Sequence, residues 1–119
     1  MRFMIMMFGD AASMTETQSP EWIREMIAFM QQLDRDLRES GELVFDLGLA
    51  DGSAAKTVRL EGGAPVISGG QVAGPGSSLI GYWVVDVESE ARALAIAARI
   101  VEYARVVEVR PVPDAPPDI

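Results

Sequence analysis

The run Leu79-Ile-Gly-Tyr-Trp-Val-Val-Asp-Val87 constrains the fold more than any other stretch. It is apolar, aromatic and β-branched at odd and even positions alike, as a strand buried on both faces requires. Residues 2–8 repeat the property, with Phe3, Ile5 and Met7 on one face and Met4, Met6 and Phe8 on the other. A fold must place both strands centrally and cover both of their sides. In 119 residues this is one domain with a core of ordinary size.

The elements between them read in order. Gly9-Asp10 ends the first strand, and a polar loop runs to Gln18. Ser19-Pro20-Glu21 then starts a helix, with an N-cap serine, a proline at the first helical position and a carboxylate facing the helix dipole. Trp22, Ile23, Met26, Ile27, Met30, Leu33 and Leu37 form its apolar stripe, and Ser40-Gly41 stops it. Leu43, Phe45, Leu47 and Leu49 alternate with Val44, Asp46, Gly48 and Ala50, which predicts a strand nearer the sheet edge. Thr57–Leu60 and Pro65–Ile67 flank Glu61-Gly-Gly-Ala64 as a β-hairpin, and residues 68–78 are an irregular Gly/Ser/Pro-rich connection. After the run at 79–87, Ser89 is the N-cap of a second helix, with Leu94, Ala97, Ala98 and Val101 as its inner face. The last strand spans about 105–112, and residues 113–119 are a Pro-rich tail after a domain at 1–112.

This order is β-α-β, a hairpin insertion, then β-α-β. It predicts an α+β, ferredoxin-like split β-α-β fold with the first and third main strands central and parallel, and both helices on one face. The other face would then be apolar and wet, at about 25 cal/mol per Å² of apolar surface. A patch of that size marks an interface. The expectation is a homodimer with sheet face against sheet face, a dimeric α+β barrel. A monomer whose hairpin 57–67 folds over the free face is the alternative. One of Tyr82 and Trp83 should pack under the helices and the other should meet the second subunit.

Composition narrows the chemistry. A net charge of −8 disfavours nucleic acid and anionic lipid. The chain has no cysteine, which excludes thiol chemistry, and no histidine, which removes the commonest general base and metal ligand. No apolar run reaches the ~20 residues of a membrane span. Arg2, the apolar run 3–8 and the small residues Ala11, Ala12 and Ser13 faintly mimic a signal peptide. The run is short and Asp10 intrudes, so a cytoplasmic first strand is the better account. The glycines at 69, 70, 74 and 76 lead into a strand with no Lys-Ser/Thr after them, against a phosphate loop. Asp34 with Asp36, and Glu88 with Glu90, diverge on a helix and read as solvated faces. The seven methionines read as adaptable packing. Neither cofactor nor metal is expected.

Taken together, Phe8-Gly9-Asp10, Ser19-Pro20-Glu21, Thr57-Val58-Arg59, Leu79-Ile80-Gly81-Tyr82-Trp83 with Asp86-Val87, and Val107-Glu108-Val109-Arg110-Pro111 resemble the YCII-related proteins, more narrowly their DGPF branch. The resemblance covers nearly the whole chain and implies a dimeric α+β barrel of ferredoxin-like topology. Where the branch carries Asp-Gly-Pro-Phe, this chain reads Ser68-Gly69-Gly70-Gln71. Some relatives carry a His–Asp pair, and one is similar to enzymes that eliminate chloride from a chlorinated ring-cleavage product. Asp10 matches the aspartate of that pair, while the histidine position falls at about Trp22.

Asp10 is the candidate catalytic group, as base or ligand-orienting carboxylate, against the simpler role of an Asx-turn ending a strand. Trp22, Ser68 and Tyr82 are the candidate ligand-binding residues around it. For Trp22 and Tyr82, plain packing is the competing account. Three functions are compatible with this reading. The first is a homodimer binding a small molecule between sheet and first helix. The second is a cofactor-free lyase or isomerase with Asp10 as base. The third is a non-catalytic dimerisation or regulatory module.

Overall fold

The computed structural model describes residues 1–10, 14, 16–74 and 76–118. Ala11, Ala12 and Ser13, on which the signal-peptide comparison drew, lie outside them, as does Ile119 of the tail. The elements are β1 (Arg2–Gly9), α1 (Pro20–Glu39), β2 (Leu43–Gly48), a 3-10 turn (Gly52–Ala54), β3 (Lys56–Glu61), β4 (Ala64–Gly69), β5 (Ser78–Asp86), α2 (Glu90–Ile100) and β6 (Val106–Val112). Within the expected polar loop, residues 14, 16 and 17 are helical, and the Gln18 N–H donates to the Met14 carbonyl at 3.1 Å.

Four strands form one sheet in the order β2-β5-β1-β6, and β3 and β4 form a separate two-stranded sheet. The expected central pair is present, but β1 and β5 run antiparallel, Phe3 opposite Val85 and Ile5 opposite Trp83. The expectation of parallel central strands is therefore wrong. Each helical crossover returns the chain in its original direction, so β1 and β2 run one way and β5 and β6 the other. The two crossovers interleave, which sets opposite-running strands side by side. The result is α+β and compatible with a ferredoxin-like arrangement.

Both helices lie on one face. Phe3, Ile5, Met7, Trp83, Val85 and Val87 pack there with Leu33 and Leu37 of α1 and Ala93, Ile96, Ala97 and Ile100 of α2. Ser19 caps α1, its Oγ accepting from the Trp22 N–H at 3.1 Å, and Ser89 caps α2 in the same way. Gly41 follows α1 at φ +77°.

The inner face of α2 differs from expectation. Ala97 is buried, but Leu94, Ala98 and Val101 are exposed, and Ile96 and Ile100 fill the core. An Ala-rich helix carries apolar residues on two stripes, and the stripe with the larger side chains wins the sheet. On α1, Ile27 of the expected stripe is exposed.

On β2, the register shifts between Leu43 and Phe45. This irregularity turns Leu43 toward the core and sends Phe45 and Leu47 to the helix-free face. Asp46, opposite Trp83, is left on the helix side. Asp34, expected on a solvated face, is half-buried and accepts from Trp83 Nε1 at 3.3 Å.

The hairpin turn is Gly62-Gly63, with φ of 58° and 82°. A two-residue primed turn needs positive φ at both central positions, and glycine supplies it without strain. The hairpin does not lie on the free face of the sheet. The radius of gyration is 16.5 Å and the extents are 49 × 47 × 18 Å, against about 13.5 Å for a compact globule of this length.

Candidate functional site

The antiparallel pairing of β1 with β6 sets Phe8 opposite Val106. The end of β1, the start of α1, the end of α2 and the start of β6 therefore meet at one end of the sheet. They enclose a cleft of about 970 Å³, lined among others by Asp10, Trp22, Tyr103 and Arg105. That volume suits a small organic ligand.

Its aromatic wall is preassembled by a seam between the helices. Arg99 of α2 pairs with Asp36 of α1 at 3.1 Å, and its guanidinium lies 5.8 Å from the Phe29 ring centroid. Phe29 stacks on Tyr103 at 4.9 Å, and Tyr103 meets Trp22 at 5.6 Å. Trp22 and Tyr103 are each half-buried, one side packed and the other toward the cleft. The Gln32 amide and then Arg99 hold the Asp36 carboxyl below its usual range.

Asp10 is half-buried where the cleft meets a smaller cavity of about 320 Å³, which Asp51, Gly52 and Gln71 also line. Its carbonyl accepts from the Met14 N–H at 3.1 Å. Across the smaller cavity, Gln71 and Ser78 share a short hydrogen bond, and Asp51 caps the 3-10 turn through the Ser53 N–H at 3.0 Å.

Of the four residues expected to surround one pocket, the structure brings together Asp10 and Trp22. Ser68 lies in β4, on the hairpin, where its Oγ is 3.5 Å from Arg59 Nη1. Tyr82 faces the helix-free side of the sheet, edge-on to Phe45 at 5.9 Å. Trp83, its neighbour, points under the helices, because successive strand residues face opposite sides. Tyr103 and Arg105 take the places in the cleft that Ser68 and Tyr82 do not. The signal for them was positional: in the split β-α-β order, the loop entering the last strand returns to the end of the first.

A second polar cluster lies apart from the cleft, under the edge of the sheet. Asp46 of β2 faces Asp34 of α1. Burial, then the adjacent carboxyl of Asp34 and its like charge, push the Asp46 carboxyl up to about 6, against the opposing pull of Arg38. At the opposite end of α2 from the cleft, Arg92 grips Glu42 with two bonds of 2.8 Å and holds that carboxyl below its usual range. Among the described residues, no group of three or more acidic side chains has metal-binding geometry, and no helix is long and apolar enough to cross a membrane. No protein-family model matches the chain, and no curated protein matches it.

Proposed function

We propose that this chain is a YCII-like protein of the DGPF branch that binds a small organic molecule in the cleft at the end of β1 and works as a homodimer. The observation that carries the binding reading is the convergence of Asp10, Trp22, Tyr103 and Arg105 on one open cleft of about 970 Å³. The rings offer a flat apolar surface, and around it stand the carboxylates of Asp10, Glu102 and Glu108 and the guanidinium of Arg105. A concave site that sets aromatic faces beside polar groups able to fix a ligand's orientation is a small-molecule site in kind. The homodimer reading is supported by the helix-free sheet face, where Phe45 and Leu47 are exposed and Met4 and Tyr82 half-buried around the buried Met6 and Val84.

The chain has no histidine, so a His–Asp dyad has no place in it. Asp10 as a general base is the second reading, favoured by its half-buried position between the two cavities.

The test is a fragment screen by thermal shift, using small aromatic acids and amines. Fragments that bind the wild type should lose their shift in Trp22→Ala and Tyr103→Ala and keep it in Ser68→Ala. Hits indifferent to both cleft variants would remove the cleft reading. Asp10→Asn that keeps a ligand but loses its turnover would select the general-base reading. Light scattering reads the dimer directly.

A further inference from the structure

The β3–β4 hairpin has an organisation that the cleft does not explain. Its register pairs Val58 with Ile67 and Leu60 with Pro65, and pairs Thr57 with Ser68, Arg59 with Val66 and Glu61 with Ala64. Directly opposed residues of an antiparallel pair share a face. One face is therefore wholly apolar beyond Lys56 at its base, and the other is mostly polar. The apolar face is open: Leu60 is 76% exposed, Ile67 71% and Val58 61%. A two-stranded hairpin is at best marginally stable alone in water and needs a covering surface.

We infer that this hairpin is an arm that docks, apolar face down, on the helix-free sheet face of a second copy of the chain. The inference rests on the homodimer reading above and adds to it the segment that completes the interface. Three observations select a second copy. First, the same chain carries a matching uncovered surface, with Phe45, Leu47 and Val106 all largely exposed on the sheet face. Second, that face alone is small. Four strands of seven or so residues outline about 19 by 25 Å, or roughly 450 Å² before side-chain relief, short of the ~800 Å² per partner of a standard interface. The arm adds roughly 200 Å². Third, the arm has Lys56 and Arg59 against the single carboxylate Glu61, in a chain of net charge −8. It is opposite in sign to the body on which it would dock, which favours encounter and register.

The chain has no cysteine, so a single introduced thiol reports its own surroundings. Leu60→Cys places a thiol on the apolar face of the arm, and Glu61→Cys places one on the polar face. Maleimide labelling rates would be measured across protein concentrations spanning the monomer–dimer transition seen by light scattering. For a dimer too tight to dilute apart, Leu47→Asp on the sheet face supplies the monomer. The Leu60→Cys rate should fall at least ~10-fold on dimerisation while the Glu61→Cys rate holds, and Leu60→Asp should raise the dimer dissociation constant at least ~10-fold. A Leu60→Cys rate unchanged across an observed transition overturns the arm and leaves the dimer standing. Slow labelling at every concentration means that the arm is covered by its own chain, and overturns it too. A chain monomeric throughout overturns both readings.

Discussion

The two faces of the four-stranded sheet are built from the same kinds of residue and have opposite fates. On one, Phe3, Ile5, Trp83 and Val85 lie beneath two helices with almost no exposure. On the other, no helix is laid over the strands: Phe45 and Leu47 are exposed and Met4 and Tyr82 half-buried, while Met6 and Val84 at the centre of the face are buried. A strand apolar on both sides states that both sides will be buried but not by what. Here, one cover comes from the chain's own crossovers. The thin, wide shape, 18 Å against 49 and 47 Å, is that of a molecule with one layer on one side of its sheet.

The strongest way to break this contrast is to truncate the covered face. Phe3→Ala removes a ring that is 2% exposed. It should cost about 3–5 kcal/mol in urea denaturation, from lost transfer energy and the cavity left behind. The matching change on the open face acts on assembly instead. Leu47→Asp should weaken the dimer by about 2–3 kcal/mol, or roughly 30- to 150-fold in dissociation constant by analytical ultracentrifugation. It should leave the far-ultraviolet circular dichroism unchanged. If Leu47→Asp did not alter assembly, the two faces would not share the fate of burial.

The covered face also holds a half-buried carboxyl. The Asp46 carboxyl is pushed up to about 6 from an ordinary 3.8. A raised folded value means that the fold holds a proton the unfolded chain has released. This contribution to stability is full below about pH 4 and is lost as pH rises through about 6. Asp46→Asn should therefore stabilise by about 1 kcal/mol at pH 7.5, partial solvation having trimmed the full linkage value. Thermal melts of the two proteins should converge near pH 4. Glu42, held low by Arg92, acts with the opposite sign and loses its contribution as pH falls. The smallest effect concerns the outward stripe of α2. Leu94→Ala, at a position 51% exposed, should change stability by less than about 0.5 kcal/mol. A larger loss would mean that this stripe also has a cover.

Much of the framework was legible residue by residue. Ser19-Pro20-Glu21 and Gly41 bracket α1 because capping is local chemistry, and Ser89 does the same at the start of α2. Asp10 and Trp22 could be placed together because they flank one connection, from β1 to α1. Other features depended on partners that no local pattern names. The sense of the central strands follows from how two crossovers interleave. The inward stripe of α2 follows from which side chains fit the sheet, and it turned out to hold Ile96 and Ile100 rather than Leu94 and Val101. The register shift in β2 reversed the expected exposure of its larger face. It also left Asp46 beneath α1, beside an aspartate that sequence spacing alone placed in solvent. Ser68 belongs to a strand rather than to the loop after it, and Tyr82 takes the opposite side from Trp83, so neither reaches the cleft.

By itself, then, the sequence determined the α+β class, the caps, the two central strands and the need to cover both of their faces. These rest on periodicity and on backbone chemistry within a few residues. Tertiary structure alone decided the strand directions, the helix face that turns inward, and the meeting of Tyr103 and Arg105 with Asp10. It alone set the hairpin away from the sheet. Each of these is a choice between surfaces of similar hydrophobicity, and hydrophobic attraction has no direction of its own. Packing shape and hydrogen-bond register make the choice, and both exist only once distant segments are in contact.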